Sequence, residues 1–165
     1  MPTKSASDIY FAIMHGNPRS FILSWLTKFF TGSTAFHAGF VDLSNHTLTD
    51  MNKTVRVIAW PLYNPPKYDV RLYPAHTVTR EGLAKLCEIH KDEKYGNVDY
   101  IGFGLRWFYK LINHVMPDFG GTICSEMVAE WANTFGYKFP TRPVLSPGEL
   151  EGYIVKELKL ERYIP

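Results

Sequence analysis

The spacing of hydrophobic and polar positions along the chain predicts a mixture of strands and helices. Short apolar runs and alternating positions are typical of strands, and they occur at residues 9–14, 36–43, 47–52, 55–60, 68–73 and 155–160. Apolar positions at helical spacing predict helices over residues 19–30, 80–92, 107–115 and 124–136. The pattern therefore predicts an α+β fold with a sheet packed against helices.

Turn and capping residues set the expected boundaries of these elements. Thr79 is placed to cap the helix at 80–92, in which we expect Ile89 to face inward. Ser146 followed by Pro147 is typical of the start of a short last helix. Residues 15–18 and 44–46 predict turns. Residues 1–7 are polar and predict a loose tail. Without repeats, linkers or low-complexity tracts, we expect one domain over residues 1–165.

Composition narrows the classes of function. The chain has 165 residues, 45% hydrophobic and 21% charged, and a formal net charge of +2. This charge is too small to predict a nucleic-acid partner. No apolar run reaches the roughly 18 residues that span a bilayer, and no signal peptide is evident. We therefore expect no stable membrane insertion and a cytoplasmic location by default. A protein released by lysis or carried in a virion would have the same sequence features.

Cys124 is the first candidate for chemistry, because an apolar approach leads directly into a helical pattern at this residue. The positive end of a helix dipole favours thiolate over thiol. Glu126 would lie in the first turn, where a negative charge suits the dipole. The alternative is a buried structural thiol, which is the common fate of a free cysteine. That reading applies better to Cys87, which lies within a helix on its apolar face.

His37 is the candidate base for this thiol. It lies in a predicted strand with Gly39 on the same face, which leaves space beside the ring. A third group should orient the imidazole from the neighbouring strand. Asp50 fits this role, because it follows the turn at 44–46 and is otherwise poorly suited to a strand. Thr49, expected to face the other way, and His46, in the turn, are weaker candidates.

These residues carry a resemblance to a known superfamily. His37-Ala38-Gly39, a hairpin, a loop rich in Gly and Tyr, and then Ile123-Cys124-Ser125-Glu126-Met127-Val128 resemble the circularly permuted branch of the NlpC/P60 papain-like superfamily, in particular its YiiX-like subgroup. The segment from Ser146 to Leu150 is similar to the Pro-x-(Asp/Glu)-Leu segment of such proteins. The resemblance covers nearly the whole chain and implies a permuted papain-like fold, with an antiparallel sheet, helices and a nucleophile at a helix N-terminus.

The resemblance also implies roles for individual residues. Cys124 would be the nucleophile, His37 the general base and then acid, and Asp50 the orienting group, about one residue later than the family spacing. Ser125, Gly121 and Tyr100 would line the substrate and oxyanion pocket. The family order Tyr-Asp before the cysteine is reversed here, as Asp99-Tyr100.

The reaction implied is cleavage of an amide bond through a thioester, in a peptide or a peptidoglycan stem peptide, with no metal or organic cofactor. None of the six histidines forms a closely spaced metal-binding pair. One alternative is a lipid or thioester acyl hydrolase or acyltransferase similar to lecithin–retinol acyltransferase, for which the aromatic helix at 21–30 would offer an acyl-binding surface. The other alternative is a binding or regulatory module that kept the fold and lost the activity.

Overall fold

One antiparallel sheet organises the part of the chain that the structure describes. The computed structural model describes residues 8–16, 33–60, 68–93, 123–141 and 144–164. The strands are β1 (Ile9–Gly16), β2 (Ala35–Asp42), β3 (Thr47–Asn52), β4 (Thr54–Ala59) and β5 (Tyr68–Pro74). The helices are α1 (Arg80–Ile89), α2 (Cys124–Thr134) and α3 (Pro147–Lys156). These residues form an α+β structure.

The strand order is β4-β3-β2-β1-β5, with every neighbouring pair antiparallel. Two short turns connect β2 to β3 and β3 to β4. His46 and Lys53 adopt positive φ angles of 50° and 69° in these turns. The hairpins are tight enough to bring β2, β3 and β4 together from one continuous stretch of chain, with β2 in the centre of the sheet.

Two clusters of buried residues lie on opposite faces of the sheet. Phe11 and Ile13 belong to the first cluster, which also takes in side chains of α1, α2 and α3. Ala12 and Met14 belong to the second, which consists of strand residues. Since neighbouring residues of a strand point to opposite faces, the alternation along β1 separates the two clusters. The helices thus pack on the first face.

Capping side chains fix the starts of α1 and α3. The Gly82 N–H donates to Thr79 Oγ1 at 3.2 Å. At α3, the Glu149 N–H donates to Ser146 Oγ at 3.3 Å, and the Ser146 N–H donates to Glu149 Oε2 at 2.8 Å. This reciprocal pair is a capping box. Both caps expected from the sequence are therefore confirmed.

Three expectations about individual elements were wrong. His15 and Gly16 continue β1 instead of forming a turn. Ile89, expected to face inward, is 61% exposed at the end of α1. Val155 lies within α3, so residues 155–160 do not form a last strand; the chain meets the sheet later, where Tyr163 bridges to Leu72.

Several expectations fall outside the described residues. These are the tail at 1–7, the helices at 19–30 and 107–115, and the glycine-containing loop before Cys124. The single-domain assignment stays a prediction. Within the residues that the structure describes, no helix is both long enough and apolar enough to cross a membrane.

Candidate functional site

Strands β2 and β3 bring His37 and Asp50 to the same side of the sheet. Asp50 pairs with Gly39, and His37 lies two positions before Gly39 on β2, so the three residues share a face. A β-carbon at Gly39 would lie 2.7 Å from the Thr49 carbonyl oxygen and 3.2 Å from Asp50 Cβ. Glycine is therefore required here by the close approach of β3, and its lack of a side chain leaves room for the carboxylate of Asp50.

A bulge alters the sheet near His37. The β1–β2 register shifts between Met14 and His15, next to the pairing of Met14 with His37. Bulges bend a strand and redirect its side chains. The bulge lies at the end of β2 that carries His37. His37 interacts with Cys124, which belongs to the buried cluster on the helical face.

Cys124 is the first residue of α2, as the sequence pattern predicts. The N-cap is Ile123, whose side chain makes no capping hydrogen bond, and the first intrahelical bond runs from the Met127 N–H to the Ile123 carbonyl at 2.9 Å. Glu126 lies in the first turn. The sulfur thus lies at the positive end of the helix dipole, which favours its thiolate form.

His37 links the sulfur to the carboxylate. Its Nε2 lies 2.8 Å from Asp50 Oδ2, and its ring also interacts with the Cys124 side chain, by charge and by a hydrogen bond. Because Nε2 is occupied by Asp50, Nδ1 is the ring nitrogen that remains for the sulfur. All three residues are buried, with exposures of 7% for His37, 2% for Cys124 and 0% for Asp50. The structure therefore brings together the three residues expected to form the triad.

Electrostatics favour a charged pair at rest. Burial by itself lowers the pKa of His37, but the charge of Cys124 and hydrogen bonds with Asp50 and Cys124 outweigh burial and raise it to about 10. Burial likewise tends to raise the pKa of Asp50, yet hydrogen bonds from Arg56 and His37 hold it below its usual value. At neutral pH the arrangement therefore favours a thiolate, an imidazolium and a carboxylate in a row.

Phe36 forms part of the surroundings of the imidazole. The two rings are stacked, with centroids 6.5 Å apart and planes at 22°. Phe36 is thus part of the aromatic packing around the imidazole.

Arg56 is a site residue that the sequence reasoning missed. It pairs with Asp50 across β3 and β4, and its guanidinium contacts both carboxylate oxygens. A signal was present in the sequence, because a tight hairpin centred on Lys53 places Arg56 directly opposite Asp50. Opposite charges at such cross-strand positions attract each other.

The other expected pocket residues have different outcomes. Ser125 is fully buried, and its hydroxyl donates to the Leu145 carbonyl at 2.6 Å. This bond ties α2 to the segment before α3, so a role for Ser125 in the oxyanion pocket stays a prediction. Gly121 and Tyr100 lie outside the described residues.

The weaker candidates for the third group are directed elsewhere. Thr49 alternates with Asp50 along β3 and forms a hydrogen bond with Cys87. His46 lies in the β2–β3 turn. Burial raises the pKa of the Cys87 thiol, against the opposing effect of its hydrogen bonds. Cys87 is half-buried against the core on the helical face, as expected of a structural thiol.

Metal ligation and similarity to known proteins are two further properties that bear on the site. Among the described side chains, no group of three or more His, Cys, Asp or Glu residues could hold a metal ion. No protein-family model matches this chain, and no curated protein resembles it at a significant level.

Proposed function

We propose that this protein is a cysteine hydrolase that cleaves an amide bond in a peptide or a peptidoglycan stem peptide, on a permuted papain-like fold. The observation that carries the proposal is the position of His37, which contacts Cys124 on one side and lies 2.8 Å from Asp50 on the other. A nucleophile, a proton-transfer group and an orienting carboxylate in contact are the arrangement that thiol catalysis requires.

The raised pKa of His37 places the proton on the imidazole before substrate binds. The Cys124 thiolate attacks the carbonyl carbon, and the π electrons of the carbonyl move to oxygen. The helix N-terminus at Cys124 supplies the positive potential that stabilises this oxyanion. His37 then gives its proton to the leaving nitrogen as the carbon–nitrogen bond breaks, which leaves a thioester on Cys124.

Water completes the cycle. Neutral His37 takes a proton from a water molecule, whose oxygen attacks the thioester carbonyl. Collapse of the second tetrahedral intermediate breaks the carbon–sulfur bond, releases the acid and restores the thiolate and imidazolium. Asp50 keeps the ring oriented throughout, because its bond to Nε2 leaves Nδ1 as the ring nitrogen available to the sulfur.

Activity measurements on a substrate panel test the proposal. The panel contains peptides, peptidoglycan fragments and acyl thioesters, and compares the wild type with Cys124→Ala. We expect wild-type cleavage of an amide substrate and a loss of at least about 10³-fold in the variant, as for other catalytic nucleophiles. Mass spectrometry should find the acyl group on Cys124 during turnover.

Cys87→Ser is the matched control, because it changes the other thiol of the chain. We expect Cys87→Ser to reduce thermal stability, measured as a lower melting temperature, and to have a smaller effect on turnover. Amide cleavage that survives in Cys124→Ala would refute the assignment of Cys124 as the nucleophile. If the wild type cleaves acyl thioesters and no amide substrate, the alternative function of an acyl hydrolase would be favoured. If the wild type is inactive and Cys124 is never acylated, the alternative of a binding or regulatory module would be favoured.

A further inference from the structure

Arg56 holds the buried carboxylate of the site by both oxygens. Its Nε donates to Asp50 Oδ1 at 2.6 Å, and its Nη2 donates to Oδ2 at 3.0 Å. Oδ2 is also the oxygen that lies 2.8 Å from His37 Nε2. The Asp50 side chain is completely buried, whereas that of Arg56 is 33% exposed. Arg56 thus reaches the carboxylate from the neighbouring strand β4, where it lies directly opposite Asp50.

Two-point contact restricts the carboxylate in a way that one hydrogen bond cannot. The rigid, planar guanidinium matches both oxygens of a carboxylate, so it fixes the rotation of the group as well as its position. Burial without this cation would favour the neutral acid. A protonated or rotated Asp50 would no longer accept from Nε2 in the present geometry, and the ring would lose the contact that directs Nδ1 to Cys124.

We infer that Arg56 is a positioning residue of the catalytic machinery, which acts through Asp50 to fix the orientation of His37 toward Cys124. The inference rests on the proposed hydrolase activity and extends the site to a fourth side chain. The guanidinium of Arg56 holds both oxygens of the Asp50 carboxylate, and this carboxylate is the group that contacts His37, so we expect its effect on the reaction to pass through Asp50. Its loss should therefore affect the chemical step and leave substrate binding nearly unchanged.

Steady-state kinetics of Arg56→Gln and Arg56→Lys test this role. For Arg56→Gln we expect kcat to fall by roughly tenfold to a hundredfold, the effect of a small misplacement of reacting groups, with KM little changed. The acid limb of the pH–rate profile should move to higher pH, because Asp50 would take up a proton more readily. Arg56→Lys keeps the charge without the two-point contact, so it should recover part of the rate.

The chain offers a close match as a control. Arg80 binds Asp42 with the same geometry, at 2.6 Å from Nε and 3.0 Å from Nη2, at the end of β2 away from His37. Arg80→Gln removes an equivalent pair and should change neither kcat nor the pH profile. Equal losses in Arg56→Gln and Arg80→Gln, or an unchanged rate in a folded Arg56→Gln, would overturn the inference.

An NMR titration of the His37 ring separates this inference from the proposed function, because it needs no substrate. In Arg56→Gln the pKa of His37 should shift away from about 10, since the ring loses its aligned partner, and Arg80→Gln should not change it. If no substrate is cleaved, the hydrolase proposal fails and the titration still decides whether Arg56 positions the ring. An identical titration curve in wild type and Arg56→Gln would contradict positioning even if the enzyme were active.

Discussion

At the scale of single residues, the protonation of His37 is the property on which the mechanism depends. Its pKa is raised to about 10, against the opposing effect of burial, because it faces the Cys124 charge and bonds to Asp50. A pKa above the unfolded value of about 6.5 means that the charged ring stabilises the fold fully below pH 6.5. This contribution is lost as the pH rises through about 10.

We expect the His37 ring resonances to titrate near pH 10 in the wild type. In Cys124→Ala the negative charge beside the ring is absent, so the midpoint should fall. NMR of the folded proteins measures both values, and Cys87→Ser should titrate like the wild type because its thiol contacts Thr49 and not His37. A midpoint in the ordinary histidine range in the wild type would contradict the ion pair.

The residues of the site differ in how far the sequence alone could identify them. Cys124 and His37 stand out locally, one at the start of a helical pattern and the other beside a glycine in a strand. Asp50 follows from the turn at 44–46, which sets the pairing of β2 with β3. Arg56 was missed because its role appears only once the register of the next hairpin is counted. The burial of Ser125 against Leu145 depends on packing between distant segments, which no local pattern reveals.

At the scale of elements, the close pairing of β2 with β3 depends on Gly39. A methyl group there would lie 2.7 Å from the Thr49 carbonyl oxygen, a backbone atom, and 3.2 Å from Asp50 Cβ. We therefore expect Gly39→Ala to push the strands apart, with a loss of about 1–3 kcal/mol in the free energy of unfolding. The displaced Asp50 should also lower the pKa of His37. Chemical denaturation and the ring titration measure the two effects.

Gly152→Ala is the control for this substitution, because nothing lies within 4 Å of its β-carbon position in α3. Alanine in a helix is favoured over glycine by about 0.5–1 kcal/mol, so this variant should be at least as stable as the wild type. Its His37 titration should be unchanged. Equal stability of the two variants would show that the strands can absorb a side chain at position 39.

The elements themselves were mostly predictable, because periodicity and capping residues are local signals. The five strands between residues 9 and 74 and the starts of α1, α2 and α3 agree with the pattern. Val155 shows where the pattern misled. Leu150 and Ile154 bury one face of α3 at helical spacing, so the helix continues through the apolar residue that began the expected strand. Val155 is instead 46% exposed.

At the scale of the whole molecule, one carboxylate on α3 connects the helix to two strands. Glu151 Oε1 accepts from the Tyr73 hydroxyl at 2.7 Å and from Arg71 at 3.2 Å, both on β5. Its Oε2 lies 3.0 Å from His15 Nε2 on β1. His15 Nδ1 in turn lies 2.9 Å from Thr34 Oγ1, just before β2. These contacts join α3, near the end of the chain, to β1 and to the residue before β2, near its beginning, and to β5.

This network makes the stability of the fold sensitive to acid. Burial alone raises the pKa of Glu151, but its bonds with His15 and Tyr73 and the charges of His15 and Arg71 lower it to about 2. A carboxylate with a depressed pKa stabilises the fold above its unfolded value of about 4.5, and this contribution is lost as the pH falls toward 2.

Glu151→Gln should therefore lower the free energy of unfolding by roughly 3 kcal/mol near neutral pH, from the size of the pKa difference. The difference in free energy of unfolding between Glu151→Gln and the wild type should narrow steadily below about pH 4.5, because acid removes the same charge from the wild type. Urea denaturation at a series of pH values measures the gap. Glu157→Gln alters an exposed carboxylate just beyond the same helix and should give parallel curves. A gap for Glu151→Gln that stays constant down to pH 2 would mean that the packing of this side chain, and not its charge, holds α3 to the sheet.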